Sequence, residues 1–205
     1  MSKLIRISSI ISLVFLFASC KHLKIDGSLI QSESDTYTVP FFNGENAEYL
    51  YASKINVYGN SINGLLVIKK IGEGHKRLAL LTDFGNTLLD IEFIGEEIKV
   101  NYVVEDLNKK VIINQLKKNF QLLLHSDYQV NEIYKVENGK VLTSKFQKKH
   151  VFLYLDAEGN LTRLRQANSV KNKIEIKYFG EDINADSIVF SSFQLPLEVI
   201  LEKRN

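Results

Sequence analysis

The sequence predicts a mainly β domain, a curled antiparallel sheet forming an open, half β-barrel with at least one lid helix. Three observations predict it. From Tyr49 onward, apolar runs of strand length alternate with turn residues every ten or so positions. One stretch, Lys109 to His125, switches to helical periodicity. Two prolines and no tryptophan, among many Ile, Val, Leu, Phe and Tyr, describe a chain able to bury a compact core.

Met1 to Cys20 has the three parts of an export signal: basic Lys3 and Arg6, an apolar stretch from Ile7 to Phe17, and small Ala18 and Ser19 before Cys20. The stretch is interrupted by Ser8, Ser9 and Ser12 and is shorter than the roughly 20 mostly apolar residues of a membrane-spanning helix. Residues 1–19 are therefore read as a cleaved signal peptide. Small-small-Cys resembles a lipobox, in which the cysteine thiol is acylated, palmitate being one such chain, and becomes the new N-terminus; Phe17 stands where Leu is commonest. The alternative, an ordinary signal with an incidental cysteine, is weakened because Cys20 is the only cysteine in the chain. A single thiol also excludes an intramolecular disulfide and a cysteine metal cluster.

Lipid on Cys20 places the protein at a membrane, each buried methylene contributing about 0.8 kcal/mol. Lys21, His22 and Leu23 include no acid, unlike inner-membrane retention signals and acidic surface-export signals. The expected location is therefore the periplasmic face of the outer membrane. Residues 20–46, polar and irregular, read as the lipidated cysteine, a tether and the approach to the fold, and residues 47–205 as one domain. Removing Lys3 and Arg6 takes the basic count from 26 to 24, against 24 acidic residues, so the mature chain is close to neutral. No nucleic-acid partner is expected.

Within the domain, Tyr49 to Tyr58 is followed by Gly59-Asn60, Ile62 to Ile71 by Gly72-Glu73-Gly74, Lys76 to Thr82 by Asp83-Phe84-Gly85-Asn86, and Thr87 to Ile94 by Gly95-Glu96. Gly and Asn accept the positive φ that tight hairpins need. Ile98, Val100, Tyr102 and Val104 alternate with Lys99 and Asn101, the pattern of a strand with one buried face. In the helical stretch, Ile112, Leu116, Phe120 and Leu123 share one side and Lys117, Lys118 and Gln121 the other. Strands resume at Gln129 to Glu137, Val141 to Gln147, His150 to Asp156 and Leu161 to Gln166. Two later segments alternate clearly, with Ile174, Ile176 and Tyr178 on one face and Leu197, Val199 and Leu201 on another. About ten twisted strands must curl, and one helix covers only part of the concave surface.

The catalytic inventory is thin. His22, His75, His125 and His150 show no ligand spacing, and neither G-x-S-x-G nor S-x-x-K occurs. Gly72-Glu73-Gly74-His75 lacks the following helix of a phosphate loop and reads as a turn. The acid pairs Glu96-Glu97, Glu105-Asp106 and Glu181-Asp182 read as solvated turns, because adjacent strand residues point to opposite faces. Asp90 and Glu92 read as the wet side of a strand. No cofactor and no metal site are expected, and the chain is not read as an enzyme.

The run from Arg77 to Asp90, RLALLTDFGNTLLD, resembles the strand-loop-strand segment of the outer-membrane lipoprotein receptor family (LolB), which shares an open-barrel fold with the periplasmic carrier LolA. The preceding lipobox cysteine, the following helix, Lys173 to Phe179 and Leu195-Pro196-Leu197 fit the same pattern. In that family the loop carries an exposed Leu before its glycine and is implicated in delivering lipoproteins to the membrane. Here Phe84 and Gly85 hold those positions. Exposing an apolar tip forgoes about 2 kcal/mol of transfer free energy, so Phe84 either contacts something apolar or folds back over its hairpin.

The resemblance implies a lipoprotein that holds acyl chains between the concave face and the lid helix, with a periplasmic carrier protein as a partner. The inward faces assigned above give Leu89, Ile91, Phe93, Val100, Tyr102, Ile112, Leu116, Phe120, Ile174 and Ile176 as the apolar lining, unless the same side chains simply fill a closed core. Two other classes stay open: an accessory subunit of an envelope assembly, with no cavity, and an enzyme acting on a lipid-linked substrate.

Overall fold

The structure, a computed structural model, describes residues 25–32, 35–44, 47–168, 171–180 and 185–204. The signal, Cys20, His22 and the Glu181-Asp182 pair lie outside them. The strands are β1 (Ser28–Ser32), β2 (Thr36–Thr38), β3 (Glu48–Val57), β4 (Asn60–Gly72), β5 (His75–Leu81), β6 (Thr87–Ile94) and β7 (Glu97–Val103). After helix α1 (Lys110–Leu124) follow β8 (Asp127–Gln129), β9 (Glu132–Val136), β10 (Gly139–Phe146), β11 (Lys149–Leu155), β12 (Leu161–Ala167), β13 (Asn172–Phe179), β14 (Ser187–Ser192) and β15 (Leu197–Lys203).

Thirteen strands form one antiparallel sheet in the order β1-β9-β10-β11-β12-β13-β14-β15-β3-β4-β5-β6-β7, while β2 and β8 pair separately. The sheet does not close into a barrel, and β1 and β7 are its edges. One lateral row of register runs Ile133, Leu142, Leu153, Leu164, Ile176, Phe190, Val199, Ile55, Ile62 across nine strands. Each strand thus commits one apolar side chain to the same concave face, and α1 packs there: Leu116 and Phe120 are fully buried, and Phe120 meets Phe190 edge-on at 5.9 Å.

Two hairpins turn on pairs of left-handed residues, Tyr58-Gly59 and Gln147-Lys148. That geometry matches the right-handed strand twist. Gly64, mid-strand in β4, is required by contact: a Cβ there would lie 1.9 Å from the Leu81 carbonyl oxygen.

The structure corrects the sequence reading in four places. Within residues 20–46, read as tether and approach, lie β1, β2 and the buried Val39, Phe41 and Phe42. Phe41 stacks at 4.5 Å on Tyr178, distant in sequence, and Phe42 meets Tyr49 and Tyr51 of the next strand, contacts that no periodicity announces. Tyr102, expected inside, is 49% exposed. Ile91 pairs with Val100 but Asp90 with Tyr102, so Asn101 is an extra residue that rotates Tyr102 to the outer face and brings Val103 opposite Leu89. β14 is an additional strand, and the segment Gln129 to Glu137 divides into β8 and β9.

Helix α1 ends at Lys76. The buried ammonium donates to the Leu124 carbonyl (2.9 Å), to Asn43 Oδ1 (3.0 Å) and to Ser126 Oγ (3.1 Å), so one β5 side chain ties the last turn to the β2–β3 connection. A cation beside the final carbonyls also complements the helix dipole. Burial, aided by Lys70, lowers the Lys76 pKa from 10.5 to about 8. Between those values the unfolded chain binds more protons than the folded one, so this group's contribution to stability rises with pH there. Lys76→Met should lower stability by about 1–3 kcal/mol at pH 7 by leaving acceptors unpaired. In urea titrations at a series of pH values, the gap between wild type and variant should widen from pH 8 towards 10.5.

Candidate functional site

Of the ten side chains expected to line an apolar interior, eight pack in the main core: Leu89, Ile91, Phe93, Ile112, Leu116, Phe120, Ile174 and Ile176, none more than 5% exposed. Val100 packs at the margin of that core, and Tyr102 lies outside it. The interior between α1 and the sheet is therefore filled. It is not uniformly apolar. Gln115 Nε2 donates to Asn119 Oδ1 at 2.8 Å, and the fully buried Asn119 leaves its own Nδ2 without a partner. The helical face missed by an apolar-only reading is visible in the sequence as the spacing of Gln115 and Asn119 between Ile112, Leu116 and Phe120.

Space opens where α1 ends. A cleft of about 630 Å³ is bounded by Thr38 and Asn43, the end of the helix and the residues after it (Gln121, Leu124 to Asp127), the β4–β5 and β6–β7 turns, and the β10–β11 hairpin. Phe93 and Leu124 belong both to the core and to the cleft wall, so the filled interior meets solvent there. Gln121 bridges the cleft: its amide donates to the Glu96 carbonyl (3.2 Å), and its oxygen accepts from Gln147 Nε2 (2.6 Å). The left-handed Gln147 thus holds a polar contact as well as a turn.

The polar groups of the cleft balance, with Lys70, Lys76 and Lys145 against Glu73, Glu96 and Asp127. His125 sits between Tyr128 and Phe146, ring centroids 4.6 and 4.2 Å away, and burial lowers its pKa. Ser126 and Lys76 have the spacing of a serine–lysine nucleophile pair. Their hydrogen bonds show another role: the Ser126 hydroxyl donates to Asn43 Oδ1 (2.7 Å), and the ammonium spends its donors on three oxygens. Lys76 is a helix cap here.

The β5–β6 turn closes on itself. The Thr82 amide donates to the Asn86 carbonyl, the Gly85 amide to the Thr82 carbonyl, and the Asn86 amide to Thr82 Oγ1, while Gly85 takes φ +84°. Phe84 projects from this turn 95% exposed and does not fold back. On the outer face below it, Arg77 holds Asp90, and Asn101 and His75 hold Glu92, keeping both carboxyls below their usual pKa. Among the described residues no three His, Asp or Glu side chains gather as metal ligands would, and no helix is long and apolar enough to cross a membrane.

No family model matches the chain, and no curated protein matches it. Among solved structures, a LolA superfamily protein from Nitrosomonas europaea is similar with a TM-score of 0.52 at 8% identity, over 82% of this chain and 88% of that one. An outer membrane lipoprotein-sorting protein domain from Vibrio parahaemolyticus gives a TM-score of 0.43 at 10% identity, over 80% and 85% of the two chains. A DUF1329 family protein from Desulfovibrio piger gives 0.41 at 8%, over 78% and 85%. The first of these likenesses establishes architecture alone, and this chain has the LolA-like open-barrel fold.

Proposed function

We propose that the protein is a periplasmic lipoprotein, tethered to the outer membrane by acylated Cys20, that binds acyl chains and takes part in lipoprotein or lipid transfer. The observation that supports this reading is a sheet curled around an apolar interior but left open between β1 and β7, with one helix on its concave face and a cleft where that helix ends. No covalent chemistry is required. An acyl chain entering over Phe93 and Leu124 parts the Gln147–Gln121–Glu96 bridge and lifts α1 from the sheet. Asn119 Nδ2, buried without a partner, is a donor available to an ester carbonyl in an otherwise apolar interior, where an unpaired group costs about 1–3 kcal/mol. Phe84 and Gly85 form the loop that meets the membrane during delivery, and a periplasmic carrier protein is a partner.

The filled interior favours a second reading, an accessory subunit of an envelope assembly. Native mass spectrometry of the protein purified from an envelope fraction separates the two: a bound acyl-chain species is expected, and a bare mass after incubation with lipids and acylated peptide favours the subunit. Phe84→Glu should abolish transfer to vesicles while changing stability by less than about 0.5 kcal/mol, as for other exposed positions; unchanged transfer removes the loop from the mechanism. Mass analysis of the mature N-terminus should show acylated Cys20, and a chain beginning elsewhere would end the anchor reading.

A further inference from the structure

The chain is already packed at Ile25. This side chain lies against Val141, Phe152 and Ala167, a small cluster on the outer face of the sheet, separate from the main core. At Gly27 a Cβ would come within 2.6 Å of the Lys135 carbonyl oxygen, so the backbone runs in contact with β9 before β1 pairs with it. On that outer face one row of register runs Leu29, Tyr134, Val141, Tyr154, Arg163. Leu29 and Ile30 are 50% and 51% exposed on an edge strand, where apolar side chains normally invite association. The Arg163 guanidinium lies 3.9 Å over the Tyr154 ring and, among the described residues, pairs with no carboxylate, whereas Arg165 beside it is held by Glu175.

We propose that this outer face, formed by Ile25, Leu29, Tyr134, Tyr154 and Arg163, rests on the lipid bilayer. The proposal builds on the reading of Cys20 as the acylated anchor. Ile25 lies five positions after Cys20, a reach of at most about 18 Å, so an anchored chain holds β1 and β9 close to the membrane. The chemistry of the face suits that neighbour. Aliphatic side chains enter the boundary, tyrosines sit at headgroup level, and an arginine without a carboxylate partner meets lipid phosphate.

The chain has no tryptophan, so single reporters are read without background. Leu29→Trp, Tyr134→Trp and, as control, Ile94→Trp on the outer face of β6 would each be placed in full-length lipidated protein. Each protein is reconstituted in phosphatidylethanolamine–phosphatidylglycerol vesicles containing a shallow brominated lipid. At least two-fold quenching of the first two reporters and none of the third is expected. Equal quenching of all three, or none in protein that floats with the vesicles, overturns the proposed face while leaving the anchor intact. A protein that neither floats nor carries an acylated N-terminus overturns the anchor reading itself.

Discussion

The structure depends on one constraint: a sheet that places an apolar side chain from each of nine adjoining strands in one row must have that row covered. In the isolated sheet, Leu153, Leu164, Ile176, Phe190 and Val199 would face water, each forgoing about 1.5–3 kcal/mol. Helix α1 is the cover, and its buried Leu116 and Phe120 are its contribution. The twist that accumulates over thirteen strands wraps the sheet around that helix.

Holding the helix at the correct height falls to polar groups. Lys76, Asn43 and Ser126 join a strand, the connection before β3 and the residues after α1 in one buried network. Such networks specify an arrangement because leaving any member unpaired is costly. The cleft lies beside this network, so the place where a ligand would enter is also where the helix is fastened. Gln121 ties α1 to the β6–β7 turn and the β10–β11 hairpin at the same end.

The sheet, its curl and the helix were legible because they are written in local periodicity: Ile174, Ile176 and Tyr178 alternate, and Ile112, Leu116 and Phe120 recur at helical spacing. Phe84 was legible as an apolar residue inside a polar turn. Other features depend on partners far away in the chain. Phe41 is covered by Tyr178, far along the chain, and the bulge at Asn101 that turns Tyr102 outward leaves the apparent alternation of β7 intact. The cleft could not be read at all, since its walls come from five separate stretches of chain.

The position of β15 has a consequence for how the chain reaches this state. The strand β15 lies between β14 and β3, with Leu197 opposite Val57 and Phe190 opposite Val199, and among the described residues it alone joins the half-sheet β3–β7 to the half-sheet β9–β14. Until the C-terminal residues arrive, the two halves share no strand hydrogen bonds and the row beneath α1 is split. Such long-range closure slows folding.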